Sequence, residues 1–483
     1  MSLTALLWAI LFCTFTVLTL RRASWGILVY MMTFFALPTQ RWWGAGVLSS
    51  IGARWSLLAA CILCVGVILD SRPRSEAATR FARPVLWLLI LYALNATAVH
   101  FLAASHPETS WEGLVMLWKQ LGLLLLLVHA LRDEFDLRLF LLGIAGGAIY
   151  LGFEVIVHGA GGSHQGRLVK LGIQGVGTAD LLAALLCMVM PLMGYLVFRP
   201  NPLDRVAGAL AGGLSMEIVL RCVSRGAFLS LCVALAWMVA QTRGQARRYV
   251  LIGTLLAATA VLTTSSGEFL NSIYERFATT FAAEQERDQA AAGRIRFWIQ
   301  GLKFVSDYPF GNGSEAAFES DRGFAYIIPI GWDRYRAVHN GYIDVAASWG
   351  VQGFALYCLA ILIAWRQLRR GISAAHARGD PRTAFQGSCI ETALITQLVA
   401  SMFLSNFRGE WFFWWMAMAI SYGSLQLDAE AASQTEEFAE SEAGEQPAAE
   451  EFDPEEFESE EPESEALASR DKASIVKDRL CPS

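Results

Sequence analysis

The stretch "RAVHNGYIDVAASWGVQGFALYCLAILIAW" runs from Arg336 to Trp365. From residue 341 onward it is an apolar block, and roughly 20 such residues are enough to cross a bilayer as a helix. At its head stands His339, one of only seven histidines in 483 residues. A polar loop becomes a membrane helix there, and Gly341, Gly350 and Gly353 follow at short intervals. Gly341 reads as a place where the chain bends into the helix. Gly350 and Gly353, three apart, read as small residues that let this helix approach its neighbours closely.

The same kind of block recurs along the chain. Spans are expected near 3–20, 24–38, 55–70, 84–103, 113–131, 137–157, 178–198, 206–220, 226–240, 249–264, 341–365, 388–405 and 411–427. A chain that is 54% hydrophobic and 17% charged is too apolar for an ordinary soluble protein of this length. The fold class expected is all-α: a polytopic membrane helix bundle of about 12–13 transmembrane helices. The first span lacks a basic leader and a small-residue cleavage site, so it reads as a span and not as a signal peptide. Four regions follow: transmembrane helices 1–10 over residues 1–264, a loop at 265–340, helices 11–13 at 341–427, and a tail at 428–483.

Charge orients the bundle. The net charge of −6 hides two opposite regions: residues 428–483 carry −15 and the rest carries +9. Alternate loops, from "RRAS" (21–24) to "RQLRRG" (366–371) and Arg382, hold 18 basic residues, while "ASHPETSWEG" (104–113) holds none. The positive-inside rule makes the basic loops cytoplasmic. The loop 265–340 then faces the periplasm, and the acidic tail faces the cytoplasm. The tail is rich in glutamate and poor in aliphatics, so it reads as disordered, with no partner identified. Cys61 and Cys64 lie mid-helix without partners and imply no metal.

The loop 265–340 is the only external segment large enough to build a site. Within it "AAAGRIRFWIQGLKFVSDY" spaces Ile295, Trp298, Leu302 and Val305 as one apolar face of a helix. That helix can cap the bundle or lie on the membrane surface.

Three groups of chemistry-bearing residues fall on the same outward side. In "RCVSRGAFLS", Arg221 and Arg225 sit in a short hairpin between two spans. Arginine at a membrane boundary is costly unless it is paired or faces water. Glu217, one turn earlier, offers Arg221 a partner, and either arginine can instead snorkel to the interface. In "GRIRFW", Arg294 and Arg296 are two apart, so they point to different faces of a helix. One can hold a ligand while the other is solvated. The third group is His339. At a helix N-terminus, free N–H groups disfavour a cationic imidazole, so it stays neutral and can act as a base. A structural histidine is the plainer alternative. Guanidinium forks suit phosphate oxygens, and no carboxylate cluster accompanies them to hold a metal-bound diphosphate.

These residues carry a resemblance. "HNGYIDVAASWGVQG" fits a pattern of His339, Asn340, nine residues, Gly350, two residues and Gly353. It resembles the signature of the O-antigen ligase superfamily, which includes O-antigen polymerases and protein O-oligosaccharyltransferases. "SRGAFL" (224–229) resembles the family's Ser-Arg-Gly turn, and "GRIRFW" (293–298) with "DYPFGNGSEAAF" (307–318) resembles its Gly-Arg and Pro-x-Gly-x-Gly segments. The likeness covers roughly 165–425, about half the chain. It departs before the seventh span, where the family often has an Asp-Pro-Asn-like turn: "GVGTADLLAALL" offers only Asp180, which alternatively reads as a helix N-cap. The N-terminal "RRASWGILVY" and "RWWG" carry a fainter likeness to O-glycosylation ligases found beside exosortase systems.

The resemblance implies a glycan ligase in the bacterial inner membrane. It would move a saccharide from undecaprenyl diphosphate to an acceptor hydroxyl at the periplasmic face, inverting the sugar's anomeric centre without metal or cofactor. Arg225 and Arg294 would bind the diphosphate, and His339 would orient or deprotonate the acceptor. Arg221, Arg296, Asn340 and Asp180 are further candidates. Expected partners are the lipid-linked donor, a lipid or protein acceptor and membrane lipids, with no nucleic acid. A repeat-unit polymerase stays open, since it needs the same arginines. A polysaccharide or lipid transporter would place more polar groups inside the bundle than Lys119, Glu154 and Glu217. A scaffold acting through the acidic tail is the remaining alternative.

Overall fold

A computed structural model describes residues 2–444 apart from 45, 51–53, 165–166, 170, 243, 265–270, 272–273, 275–288, 316, 406 and 408. The helices are α1 (Leu3–Thr19), α2 (Ser24–Ala36), α3 (Val47–Ser50), α4 (Trp55–Leu69), α5 (Glu76–Ala103), α6 (Pro107–Ala130) and α7 (Glu134–Val157). A two-stranded antiparallel hairpin follows, β1 (Gly162–His164) with β2 (Arg167–Val169), His164 facing Arg167. Then come α8 (Ala179–Val197), α9 (Pro202–Cys222), α10 (Arg225–Gln241), α11 (Gly244–Thr264), α12 (Gln289–Asp307), α13 (Asp321–Phe324), α14 (Gly341–Ala377), α15 (Pro381–Ser401) and α16 (Glu410–Gly444).

A helix occupies each of the expected spans. Five of them, α5, α6, α7, α8 and α14, are long and apolar enough to cross a membrane, and α1, α4 and α10 are shorter apolar helices. Large apolar side chains such as Leu102 and Ile68 stand exposed on them, as lipid-facing residues do. The architecture is an all-α, multi-pass membrane bundle.

The sequence sets the helix starts. Ser75, Asp133, Asn201 and Asp380 each accept a hydrogen bond from a backbone N–H of the first turn. Proline opens α6, α9 and α15, where its missing N–H costs nothing. The centre of the bundle is α8, which packs against α9 and α15 around fully buried side chains including Trp414, Trp415 and Tyr195.

Two compact units are present, Met1–Ala432 and Ser433–Ser483. The described part of the second is the end of α16, so the tail at 428–444 is helical and not disordered. Its "AEAASQTEEFAESEAG" is rich in strong helix formers, which offsets its charge. Residues 445–483, the rest of the expected tail, lie outside the described residues, as does most of 265–288.

The loop's helix departs from the expected face. In α12 the packed residues are Gly293, Phe297, Gly301 and Phe304, while Ile295 and Leu302 are exposed and Trp298 and Val305 are half-buried. The loop has its own small core, in which Phe297 and Phe304 join Phe318, Ile327 and Val338 against Ile343 and Ala347 of α14. Apolar periodicity on α12 supports two stripes, and the aromatic one wins because phenylalanines bury the larger area.

The glycines of α14 also differ from expectation. Gly350 is not a smooth helix contact: it sits at φ 79°, ψ 167° and breaks the helix. The break frees the carbonyls before it, and the segment "PFGNG" takes them. Asn312 N–H donates to Ala347 O (3.0 Å), Gly313 N–H to Ser348 O (3.0 Å), and the Asn95 amide to Trp349 O (2.7 Å). In return Val351 N–H donates to Pro309 O (2.9 Å). A Cβ on Gly311 would lie 2.5 Å from Gly350 N, so both glycines are needed for this contact. Gly341 does not provide a bend: a Cβ there would meet Phe407 at 2.6 Å, so its role is close packing.

Candidate functional site

The site forms where the starts of α8, α10 and α14 meet β2. Each of these helices points its N-terminus, the positive end of its dipole, at the same region. At the head of α14, the Asn340 side chain accepts from the N–H groups of Tyr342 (3.0 Å) and Ile343 (3.2 Å). Asn340 is therefore the N-cap. It occupies N–H groups that the sequence reading left open at His339.

His339 itself takes φ 53°, the left-handed region that bulky residues seldom adopt. Such strain persists where surrounding structure imposes it, and it clusters at functional sites. Trp298 of α12 donates its indole N–H to the His339 carbonyl at 3.4 Å, and Asn340 locks the following residue. The imidazole is half-buried. Burial, and then the Arg294 guanidinium, hold its pKa below the ordinary 6.5; Asp180 opposes this and Arg336 adds to it. Neutrality at pH 7 is thus caused by desolvation and neighbouring charge more than by the capped helix end.

The expected residues separate by position. Arg294 and Asp180 both act on His339. Asp180 is not the cap of α8, because Thr178 fills that role by accepting from Leu181 N–H at 3.3 Å. Asp180 instead bonds Arg167, faces the Ser224 hydroxyl and lies within the field of Arg294. Ser224, buried and directly before Arg225, precedes α10 and follows Val223, which adopts φ 45°. The tight turn places Arg225, half-buried, at the first position of α10. Arg221 is drawn off: it pairs with Glu217 at 2.8 Å on an exposed face of α9. Arg296 is exposed on α12, turned from its neighbour Arg294.

Two participants were not singled out from the sequence. Arg167, on β2, bonds Asp180 and also donates to Cys222 O at 2.9 Å, tying the hairpin to the end of α9. Arg336, three residues before His339, lies over the Trp332 ring at 4.7 Å. The signal for Arg167 is a basic residue in a glycine-flanked stretch just before a span, in "GGSHQGRLVKLG".

A neutral imidazole among guanidinium groups at one end of a membrane bundle can accept a proton beside a polyanionic leaving group. The fold and this cluster define a multi-pass membrane protein with a polar, charged cluster among helix starts. Residues 213–358 match the model of the O-Antigen ligase family, so this part of the chain is similar to that family. The match is narrower than the likeness read from the motifs. It spans Arg225, Arg294, Arg336, His339 and Asn340, and leaves Arg167 and Asp180 outside. The match supports a ligase- or polymerase-type function in glycosyl transfer. No curated protein sequence matches the chain.

Proposed function

We propose that this protein is a glycan ligase of the bacterial inner membrane. It transfers a saccharide from undecaprenyl diphosphate to a hydroxyl of a lipid, protein or glycan acceptor at the periplasmic face. The observation that carries this reading is the neutral His339 held beside Arg294 within the segment matched to the family.

In the reaction, the acceptor oxygen attacks C1 of the donor sugar. The bond from C1 to the diphosphate oxygen breaks, and its electron pair leaves with the diphosphate. The acceptor proton passes to a nitrogen of His339. The products are the inverted glycoside, undecaprenyl diphosphate and an imidazolium, which returns its proton to water. Arg225 and Arg294 stand where leaving-group charge develops, and preorganised cations lower the barrier because they need not reorganise during the step. Asp180, oriented by Arg167, stabilises the imidazolium as it forms. A general base of this kind typically contributes about 10²–10⁴ in rate.

The test is chemical analysis of undecaprenyl-linked glycans in cells lacking the protein, beside cells carrying His339→Ala. Finished chains stranded on the lipid in both strains support a ligase. Single repeat units stranded there would instead identify a polymerase. Unchanged lipid-linked glycans in both would remove the transferase reading.

A further inference from the structure

A cavity lies across the first turn of α8 from the histidine cluster. Asp180 faces the cluster, and the next residue, Leu181, lines the cavity. Its volume is about 350 Å³, and its walls come from α6, the loop before α8, the segment at 314–315, α14 and the start of α16. That volume falls within the ~300–1,000 Å³ typical of small-ligand sites.

Its chemistry is unlike that of the arginine cluster. The polar groups include Glu112, Gln120, Glu315 and Glu410, and Trp349 forms part of the wall. Gln120 is 8% exposed and lines the cavity. An amide on a cavity wall can both donate to and accept from whatever fills the cavity. Glu410 is also buried, and its two bonds, from Tyr30 (2.7 Å) and Trp414 (3.1 Å), both end on Oε1. Glu410 also lines the cavity. Glu112 and Gln120 lie two turns apart on α6, with Met116 between them on the same wall.

We infer that this cavity receives the sugar of the acceptor, and that it selects a neutral or amino sugar over an anionic one. The inference rests on the ligase reading above and names its acceptor class. Carboxylates accept hydroxyl and ammonium hydrogens, and the amide both donates and accepts. The carboxylates of Glu112 and Glu315 repel a phosphate or a uronate, so the donor diphosphate belongs on the arginine side. An acyl chain would displace water from these polar walls without replacing its hydrogen bonds. The two halves of the reaction thus meet electrically different surroundings, with the first turn of α8 between them.

The test uses the full-length protein in nanodiscs with three probes: methyl glucoside, methyl glucosaminide and methyl glucuronide. Binding is read by saturation-transfer NMR, with inorganic pyrophosphate followed separately by calorimetry. The wild type should bind the glucoside and glucosaminide and not the glucuronide. Gln120→Leu and the solvent-facing Glu112→Ala should each weaken the two glycosides by roughly three- to tenfold, the loss of one neutral or charged hydrogen bond. Both variants should bind pyrophosphate as the wild type does, which also shows that they are folded. Glycoside binding that is absent from the wild type, unaffected in both variants, or equally strong for the glucuronide overturns the acceptor assignment. Pyrophosphate binding that is absent, or that survives Arg294→Ala and Arg225→Ala unchanged, breaks the underlying ligase reading and leaves the cavity question separate.

Discussion

Arginines cluster in two regions of this molecule, and they do different work. In the first region they join helices. Arg138 makes two 2.8 Å bonds to the buried Asp204, which Arg199 also holds at 3.0 Å. Arg22 reaches Asp136 at 2.7 Å, and Arg72 bonds Asp70 at 2.7 Å and Asp133 at 3.0 Å. Arg138–Asp204, Arg22–Asp136 and Arg72–Asp133 connect elements far apart in sequence, and the local Arg72–Asp70 and Arg199–Asp204 pairs complete these networks. In the second region Arg294, Arg336 and Asp180 converge electrostatically on one imidazole. The first arrangement explains why the helices stay together. The second does nothing obvious for packing, and it acts on a strained residue. The comparison teaches that an arginine's role is read from what it surrounds, not from its distance to the membrane.

The comparison breaks most visibly at Arg294. Arg294→Ala should lower turnover by about 10²–10³, the usual cost of removing one preorganised donor, with little loss of folded protein. Arg296→Ala, two residues away, should leave turnover near wild type. A lysine at 294 should restore only part, because it cannot offer a planar fork. Equal effects at 294 and 296 would erase the distinction between the two positions.

The opposite pattern is expected in the first region. Arg138→Ala leaves Asp204, 1% exposed in its side chain, with one partner fewer. It should cost about 2 kcal/mol of stability, measured by thermal unfolding in nanodiscs, while turnover per folded molecule is unchanged. Between the two lies Gly350→Ala. A Cβ there would sit 2.6 Å from Phe310 O on a backbone at φ 79°, so roughly 1–3 kcal/mol of strain should appear as a lower melting temperature.

The smallest effect concerns pH. A histidine held below 6.5 stays neutral as pH falls through 6.5 and protonates only at lower pH. Turnover should therefore be level around pH 7 and drop on an acid limb lying below 6.5. Removing Arg336, which lowers the pKa, should move that limb to higher pH. Asp180→Asn, which removes the opposing charge, should move it to lower pH. A limb that ignores both variants would detach the histidine from its neighbours.

Much of this was legible in the sequence, for a physical reason. Crossing a bilayer demands long apolar runs, so the places of the helices are written locally. The candidate residues drew notice because Arg225, Arg294 and His339 fall on the side where a loop such as 104–113 holds no basic residue. What stayed hidden depends on contacts between distant segments. The break at Gly350 is completed by "PFGNG", some forty residues earlier, and nothing in the periodicity of α14 announces it. Arg167 joins Asp180 only because a short hairpin folds back on α8. The buried stripe of α12 was misread because its two apolar faces compete, and only the Phe318 and Val338 side of the loop decides between them. The cause of the histidine's neutrality was likewise placed on the helix end, since Asn340's capping bonds are a matter of geometry.

The measurement closest to the central claim is single-turnover transfer by the purified protein in nanodiscs, from a lipid-diphosphate-linked saccharide, comparing wild type with His339→Ala from pH 5 to 9. A proton-accepting His339 predicts at least about a hundredfold loss and a pH profile without the acid limb, while binding of the donor is retained. A variant that transfers near the wild-type rate, or one that keeps the same acid limb, would show that the imidazole does not take the acceptor's proton.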